Sequence, residues 1–482
     1  MSINIIKWIK DNKKEIAVLF VMYVLQMSSI IRANFSYDDD LGRIIEGYAG
    51  NAYDSRYLAD IISKAINANN RITDTSPLTQ YLACFFLAVS VLVIIRVFSE
   101  NSKIDIFSLA VAAIMVSPFF LVNFSYKIDS SFMALSVLLS VMPFLWKDNI
   151  RAYIIASAIG TFGVCMTYQA SSGIYPMLVL MYAYFCWMMG KNDLAVSLKF
   201  TAYSATTYVL CMFFFKTFLM REIEDGYISN SVPDIKSLIP TFIRNITKIY
   251  RTIIADFSKM WNILIALLVV IFIFNCLRSS SRKLLANIVY LMITLVFILL
   301  LVVGPYVILE RPLIEARSLY GFSVMLTILG AVILSFDGIK AVIGRGVLFI
   351  LGWCLFAFSF TYGNALAEQM KYTDFRVEEI INDLTDLPNY IDNDERQVEI
   401  KGSIGLAPAV DCLNYDYVLI KEIPIYIDSV NSWGTNYYFY NYYNLTGVLD
   451  ECGMGKDQFE LVQESAYHKI YNRDNQFIVE LK

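Results

Sequence analysis

The sequence predicts an all-α polytopic membrane protein with a small α+β domain at its C-terminal end. Three observations predict this. Of 482 residues, 57% are apolar and 17% charged, where a soluble domain carries about 25% charged residues. The mean hydropathy is +0.53. Apolar runs of bilayer length, about 20 residues each, recur along the chain, and an Asp-, Asn- and Tyr-rich composition begins only after position 363. A net charge of -4 with no basic face excludes nucleic-acid binding, and the composition excludes disordered and collagen-like classes. The lone histidine, His468, leaves little room for a histidine metal site or a Ser-His-Asp triad. Acid–base chemistry then falls to carboxylates, and no cofactor is expected.

Eleven spans are expected, near 15–31, 79–97, 106–123, 130–146, 152–169, 174–190, 199–217, 261–277, 285–309, 318–336 and 346–363. The first reads as a retained helix, because no small-residue cleavage site follows it. Lys7, Lys10, Lys13 and Lys14 precede it and place the N-terminus in the cytoplasm by the positive-inside rule. Basic residues recur at Arg96/Lys103, Lys147/Arg151, Lys191/Lys199, Arg278/Arg282/Lys283 and Lys340/Arg345, while the short outside turns are sparse. The expected domains are a transmembrane unit, 1–363, with outside loops 32–78 and 218–260, and a periplasmic unit, 364–482. Within the loops, 41–68 and 235–257 carry apolar residues at helical spacing, as surface-lying or re-entrant helices do; solvated loops are the alternative.

In the tail, 365–386 reads as helix. Val398–Ile400, Tyr417–Ile420 and Ile423–Ile427 read as strands, and His468–Tyr471 with Phe477–Leu481 reads as a hairpin. Six of the eight cysteines lie in apolar runs, where a thiol is a small hydrophobe. Cys412 and Cys452 lie in the polar tail and form either a disulfide or two free thiols. The run Trp433–Tyr443 is crowded with Trp, Tyr and Asn. It suits either a groove for an acceptor polysaccharide or a helix packed on the membrane part.

The candidate chemistry centres on Asp38, Asp39 and Asp40, directly after the first span. Adjacent carboxylates repel one another and raise at least one pKa. One suits a general base for an attacking hydroxyl, and a second orients a sugar or binds a divalent cation. A polar helix cap is the plain alternative. The same outside face carries Arg43, Arg56, Lys127, Arg311 and Arg317, and guanidinium forks suit phosphate oxygens. Snorkelling, or pairing with Glu310 and Glu315, is the plain alternative for the last two. Asp129, Tyr168 and Gln169 fall at the same level and suit hydrogen bonds to sugar hydroxyls. A site facing outward meets no nucleotide sugar, so its donor should be lipid-linked.

The order of these parts resembles the phage-type, serotype-converting O-antigen glucosyltransferases of enteric bacteria. The resemblance rests on Asp39-Asp40 with Arg43, Gly47-Tyr48, Gly50, Asp54-Ser55-Arg56-Tyr57-Leu58-Ala59, Tyr126–Asp129, Tyr168-Gln169-Ala170 and Arg317. The chain departs from the pattern at Asn51, where a Trp is expected, and at Ser55-Arg56-Tyr57, where Gly-Arg-Pro is expected. The resemblance implies a GT-C-type glycosyltransferase that takes glucose from undecaprenyl phosphate on the periplasmic side and passes it, with inversion, to a growing O-antigen. It implies Asp39 or Asp40 as base, and Arg56 and Arg317 at the donor phosphate. An O-antigen polymerase or ligase is a second reading and a polyprenyl-linked sugar transporter a third. The early acidic cluster and the charge-poor spans favour the transferase over both.

Overall fold

In a computed structural model, residues 5–99, 103–116, 118–222, 229–388, 390, 396–430, 432–443 and 456–482 are described. The chain is mostly helical. Its helices are α1 (Ile5–Asp11), α2 (Lys13–Ala33), α3 (Asp40–Glu46), α4 (Tyr57–Asn67), α5 (Leu78–Phe98), α6 (Ile106–Met115), α7 (Pro118–Ser125), α8 (Ser130–Val141), α9 (Ile150–Thr167), α10 (Ile174–Met188), α11 (Leu194–Phe218), α12 (Ile235–Asp256), α13 (Lys259–Arg278), α14 (Leu284–Leu300), α15 (Gly321–Leu334), α16 (Ile339–Thr385), α17 (Pro408–Asp411) and α18 (Ser432–Tyr443). Side-chain caps start several of them. Asp105 accepts from the Ser108 amide at 2.8 Å and Asn149 from the Ala152 amide at 3.3 Å.

Among the described residues, six helices are long and apolar enough to cross a membrane: α2, α5, α9, α11, α13 and, from Val342, α16. The pair α6 and α7, bent by 64°, makes a seventh if it is one span. Pro118 opens the second piece, and proline removes a helix hydrogen bond. The remaining expected spans are shorter apolar helices. α8 tightens into a 3-10 turn at Met142–Trp146, α14 ends at Leu300 before a 3-10 turn at Gly304–Ile308, and α15 is 14 residues long. Hydropathy sums over such breaks, so it merges helix and turn into one run.

The bundle is held by close backbone approach and by polar bonds between helices. α16 packs along α2 and α6. The Gln26 amide donates to Ser359 Oγ at 3.2 Å, Ser29 Oγ to the Ser359 carbonyl at 2.9 Å and Tyr23 OH to the Ala112 carbonyl at 3.0 Å. At Gly363 a Cβ would lie 2.3 Å from Ser29 Oγ and 2.6 Å from the Ile30 amide. Helices in lipid associate through such small-residue contacts. α16 is 47 residues long and runs unbroken through the expected boundary at 363–364, carrying the tail's first helix with it.

The tail ends in a four-stranded sheet of order β1-β4-β3-β2, with β1 (Gln397–Lys401), β2 (Glu460–Glu464), β3 (His468–Arg473) and β4 (Gln476–Leu481). β1 runs parallel to β4 and the other pairs are antiparallel. The expected hairpin is β3–β4, turning at Asp474 with φ +53°. Two expected strands are absent. Val418–Glu422 winds as a 3-10 turn that buries Leu419 and Ile420. Ile423–Ile427 forms no ladder: the Ile404 amide donates to the Ile427 carbonyl beside a single bridge at Ser403–Asp428, Thr435 Oγ1 donates to the Tyr426 carbonyl, and the Tyr426 ring stacks on Phe35. Cys412 is exposed, and Cys452 lies outside the described residues.

Replacing Gly363 by leucine should cost about 1–3 kcal/mol through overpacking against α2. A thermal-unfolding series on the purified protein reads this as a lowered midpoint, and an unchanged midpoint would contradict the packing.

Candidate functional site

The segment between α2 and α3 turns sharply. Asn34 ends α2 with φ +49° and Asp38 sits at φ +48°, a conformation that Asn and Asp tolerate better than other side chains. The Asp38 amide donates to Tyr426 OH at 2.8 Å, and that hydroxyl donates to the Ser36 carbonyl. Asp38 Oδ2 accepts from Tyr126 OH at 3.2 Å, and Arg317 Nη1 donates to the same phenol at 2.8 Å.

Asp40 is fully buried. Its Oδ2 accepts from the Lys127 amide at 2.7 Å, and its Oδ1 from the Ile128 amide at 3.4 Å. Burial pushes its pKa up to about 7, against the pull of Arg43 and the Lys127 amide. Arg43, one turn along the helix, pairs through Nη1 with Asp129 Oδ2 at 2.8 Å, both side chains being about nine-tenths buried. Lys127 Nζ turns away to Asp74 at 3.1 Å. Asp40, Arg43 and Lys127 therefore hold α3 against the turn before α8.

Asp39 stands apart. It is exposed, and its carboxylate has no hydrogen-bond partner among the described residues. Protein walls and the neighbouring Asp38 push its pKa up to about 6, and Arg317 pulls the other way. It opens onto a cavity of about 190 Å³ that Arg56, Asp129, Tyr168, Gln169 and Arg317 also line. In this cavity Arg56 lies over the Tyr168 ring at 4.9 Å, donates to Gln169 Oε1 at 3.3 Å and stands 3.4 Å from Asp54. Gln169 reaches back to the Asp54 carbonyl at 3.0 Å. Arg317 lies over Tyr126 at 5.6 Å, with its Nε 3.0 Å from Glu315 Oε2. Asn123 and Tyr168 both hold the Arg317 carbonyl, at 3.0 and 3.2 Å. The two guanidinium groups are thus fixed, partly buried and turned to one space.

The structure brings together Asp39, Arg56, Asp129, Tyr168, Gln169 and Arg317. Arg43, Lys127 and Asp40 lie behind the wall, and Asp38 is engaged by Tyr126. Arg311 is exposed and is not among the residues that line the cavity, although its carbonyl accepts at 2.9 Å from the amide of Ser229, which does line it. Among the described residues, no group of three or more His, Cys, Asp and Glu is arranged to hold a metal ion. Asp38 and Asp40 have different partners, and the Asp39 carboxylate has none among the described residues.

Sequence reasoning missed Asp54 and Tyr306 in the lining, and the tail residues behind the aspartates. The Gly304-Pro305 pair inside a presumed span was a readable signal for the turn that delivers Tyr306. Nothing in the local sequence links Tyr426 to Asp38.

The family model for glucosyl transferase GtrII matches residues 28–328. The chain belongs to the glucosyl transferase GtrII family. Every candidate site residue lies inside that match, and α16, the sheet and α18 lie beyond it. The GtrII-family chain is also 26% identical, over 250 residues, to an uncharacterized 55.3 kDa protein encoded in the gtrB 5' region of Salmonella phage P22. The match covers 51% of each protein, so the chain spans about half the length of this curated relative. No solved structure matches it.

Removing one partner of the buried pair should be severe. Arg43→Met leaves Asp129 and Asp40 without their cation and should cost about 3–5 kcal/mol of stability. Arg311→Met should cost less than about 1 kcal/mol. Chemical denaturation of the two variants side by side checks the contrast.

Proposed function

We propose that this chain transfers a glucosyl unit from a polyprenyl-phosphate donor, undecaprenyl-phosphate glucose, to a hydroxyl of O-antigen polysaccharide. The reaction takes place at the outer face of the bacterial inner membrane, with the N-terminus cytoplasmic, the tail periplasmic and a GT-C-type arrangement of spans. Membership of the GtrII family supports glucosyl transfer, and the apolar helices support a membrane setting. The observation that carries the mechanism is the unpaired Asp39 carboxylate sharing one cavity with Arg56 and Arg317.

In this reading the acceptor hydroxyl gives its proton to Asp39 as its oxygen attacks the anomeric carbon. The bond from that carbon to the phosphate oxygen breaks, and the phosphate leaves with the electron pair. Arg56 and Arg317 neutralise the charge that gathers on the leaving phosphate. Such pre-placed donors strengthen as the charge develops, which is what lowers a barrier. Attack opposite the leaving group inverts the anomeric centre. Asp129, Tyr168 and Gln169 line the same space and suit the hydroxyls of the transferred sugar. A carboxylate whose pKa sits near 6 is mostly ionised at neutral pH yet basic enough to accept a proton. Asp40, sealed behind the wall by the Tyr37, Lys127 and Ile128 amides, takes a supporting role.

Asp39→Asn should lower turnover by about 10²–10⁴-fold, while leaving donor binding within a few-fold of the parent. Steady-state transfer and donor-binding assays on the reconstituted protein check this, and retained turnover would remove Asp39 as the base. The rate of the parent should rise with pH through about 6 as Asp39 loses its proton. It should reach a plateau above that, and an acid limb should be missing from the residual activity of Asp39→Asn. Arg317→Lys keeps the charge but loses the fork, so it should raise the donor KM more than the acceptor KM.

A further inference from the structure

The tail helix α18 rests on α3, the helix whose N-cap is Asp39. Asn441 Nδ2 donates to the Leu41 carbonyl at 3.1 Å, and Tyr442 OH lies 3.2 Å from Ser36 Oγ. Trp433 fills the space over Gly42, where a Cβ would lie 2.6 Å from its Cζ2 and 3.2 Å from Tyr437 Cε2. A helix places residues three apart on one face, so Gly42 and Asp39 share a side of α3. Trp433 therefore sits on the same side as the candidate base. Tyr437, at 4.8 Å and 63°, fixes its ring. Although so held, Trp433 keeps 39% of its surface exposed.

A second ring flanks the other end of α3. Tyr48 follows the Gly47 cap, is 44% exposed and lies within electrostatic reach of Asp39 and Glu46. Gly42, which lies under Trp433, and Glu46, the last residue before the Gly47 cap, are about 6 Å apart along the helix, so the two rings stand over successive parts of one short element. Tyr438 and Phe439 of α18 are buried, with Tyr438 donating to Asp374 at 2.5 Å, while Tyr440 and Tyr442 are exposed like Trp433. Exposed aromatic faces also occur at lipid headgroups. Here the surroundings are exposed Glu46 and Asp39 together with Arg71, which bonds the Ile45 and Glu46 carbonyls, so the patch has no net positive charge to draw it to an anionic leaflet and offers polar groups of both kinds to a hydroxyl-rich ligand.

We propose that Trp433 and Tyr48 form a glycan-binding platform beside Asp39, on which rings of the acceptor polysaccharide stack while one hydroxyl enters the cavity. The subsite depends on the proposed transfer only for its purpose; the binding itself is a separate fact. It also gives the tail, beyond the family-matched residues, a part in choosing the acceptor.

The test uses the full-length Asp39→Asn protein in nanodiscs, titrated calorimetrically with size-fractionated O-antigen polysaccharide freed of lipid. Trp433→Ala in that background should weaken binding at least about tenfold, equivalent to 1.4 kcal/mol. Trp433→Phe should retain most of it. Tyr48→Leu, on the exposed segment after α3, should weaken it several-fold and keeps the test open should Trp433→Ala misfold. In Asp39-containing protein the same changes should raise the acceptor KM and leave the donor KM alone, a split that a general loss of folding would not give. Unchanged polysaccharide affinity in both Trp433→Phe and Tyr48→Leu, with Trp433→Ala either unchanged or misfolded, overturns the platform. Quenching of the Trp433 fluorescence component by brominated phosphatidylglycerol in the nanodisc also overturns it, because the ring would then sit in lipid. Polysaccharide binding that needs both rings, in a protein that transfers no glucose, would sink the transferase reading and leave the platform standing. Transfer that ignores both rings would do the reverse.

Discussion

The buried pair between Arg43 and Asp129 is the constraint on which the site depends. It joins α3, just after the first long helix, to the turn before α8, and it does so where water is scarce. Taking two charges out of water costs several kcal/mol for each ion, which only good geometry and further hydrogen bonds return. The returns are visible. Asp40 takes the Lys127 and Ile128 amides, Lys127 takes Asp74, and Arg43 serves Asp40 and Asp39 electrostatically as well as Asp129. With its neighbours anchored in this way, Asp39 is left as the displayed carboxylate. A run of three aspartates thus divides into three roles: one fixed by a phenol, one open and one sealed.

The tail is part of this arrangement. Tyr426, the Glu422 carbonyl, Asn441 and Tyr442 all touch the stretch from Ser36 to Leu41, with Tyr37 OH donating to Glu422. Asp38 holds a left-handed backbone conformation, and the hydrogen bond from its amide to Tyr426 favours that geometry. A chain that lost its tail would lose the back of the loop that carries Asp39. The fold therefore couples two sequence-distant regions at one helix terminus, and it does so through aromatic side chains that the spans did not require.

Much of the helical architecture was legible because apolar runs speak locally. The hairpin at 468–481 was legible for the same reason, through alternation around an Asn-Arg-Asp-Asn-Gln turn. The count of spans was not, because hydropathy does not register the bend at Pro118 or the 3-10 turns at 142–146 and 304–308. The strands expected near 418 and 424 failed where their aromatic residues pack on the helical bundle, Tyr417 on Trp261 and Phe358 and Tyr426 on Phe35. In the site, shared sidedness was enough to gather Asp39, Arg56, Asp129, Tyr168, Gln169 and Arg317. It did not separate Arg43 and Lys127, whose partners Asp129 and Asp74 lie 86 and 53 residues away along the chain. Charge is visible in sequence; which charge is already spent is a property of the fold.

The central claim is that one cavity holds a donor phosphate between Arg56 and Arg317, with the sugar carbon turned to Asp39. A structure of the reconstituted protein with a non-transferable undecaprenyl-phosphonate glucoside tests it most directly. The account predicts the phosphonate between those two guanidinium groups and the anomeric carbon facing the Asp39 carboxylate. A phosphonate bound at Arg311, or on the Lys147 side of the bundle, would contradict it.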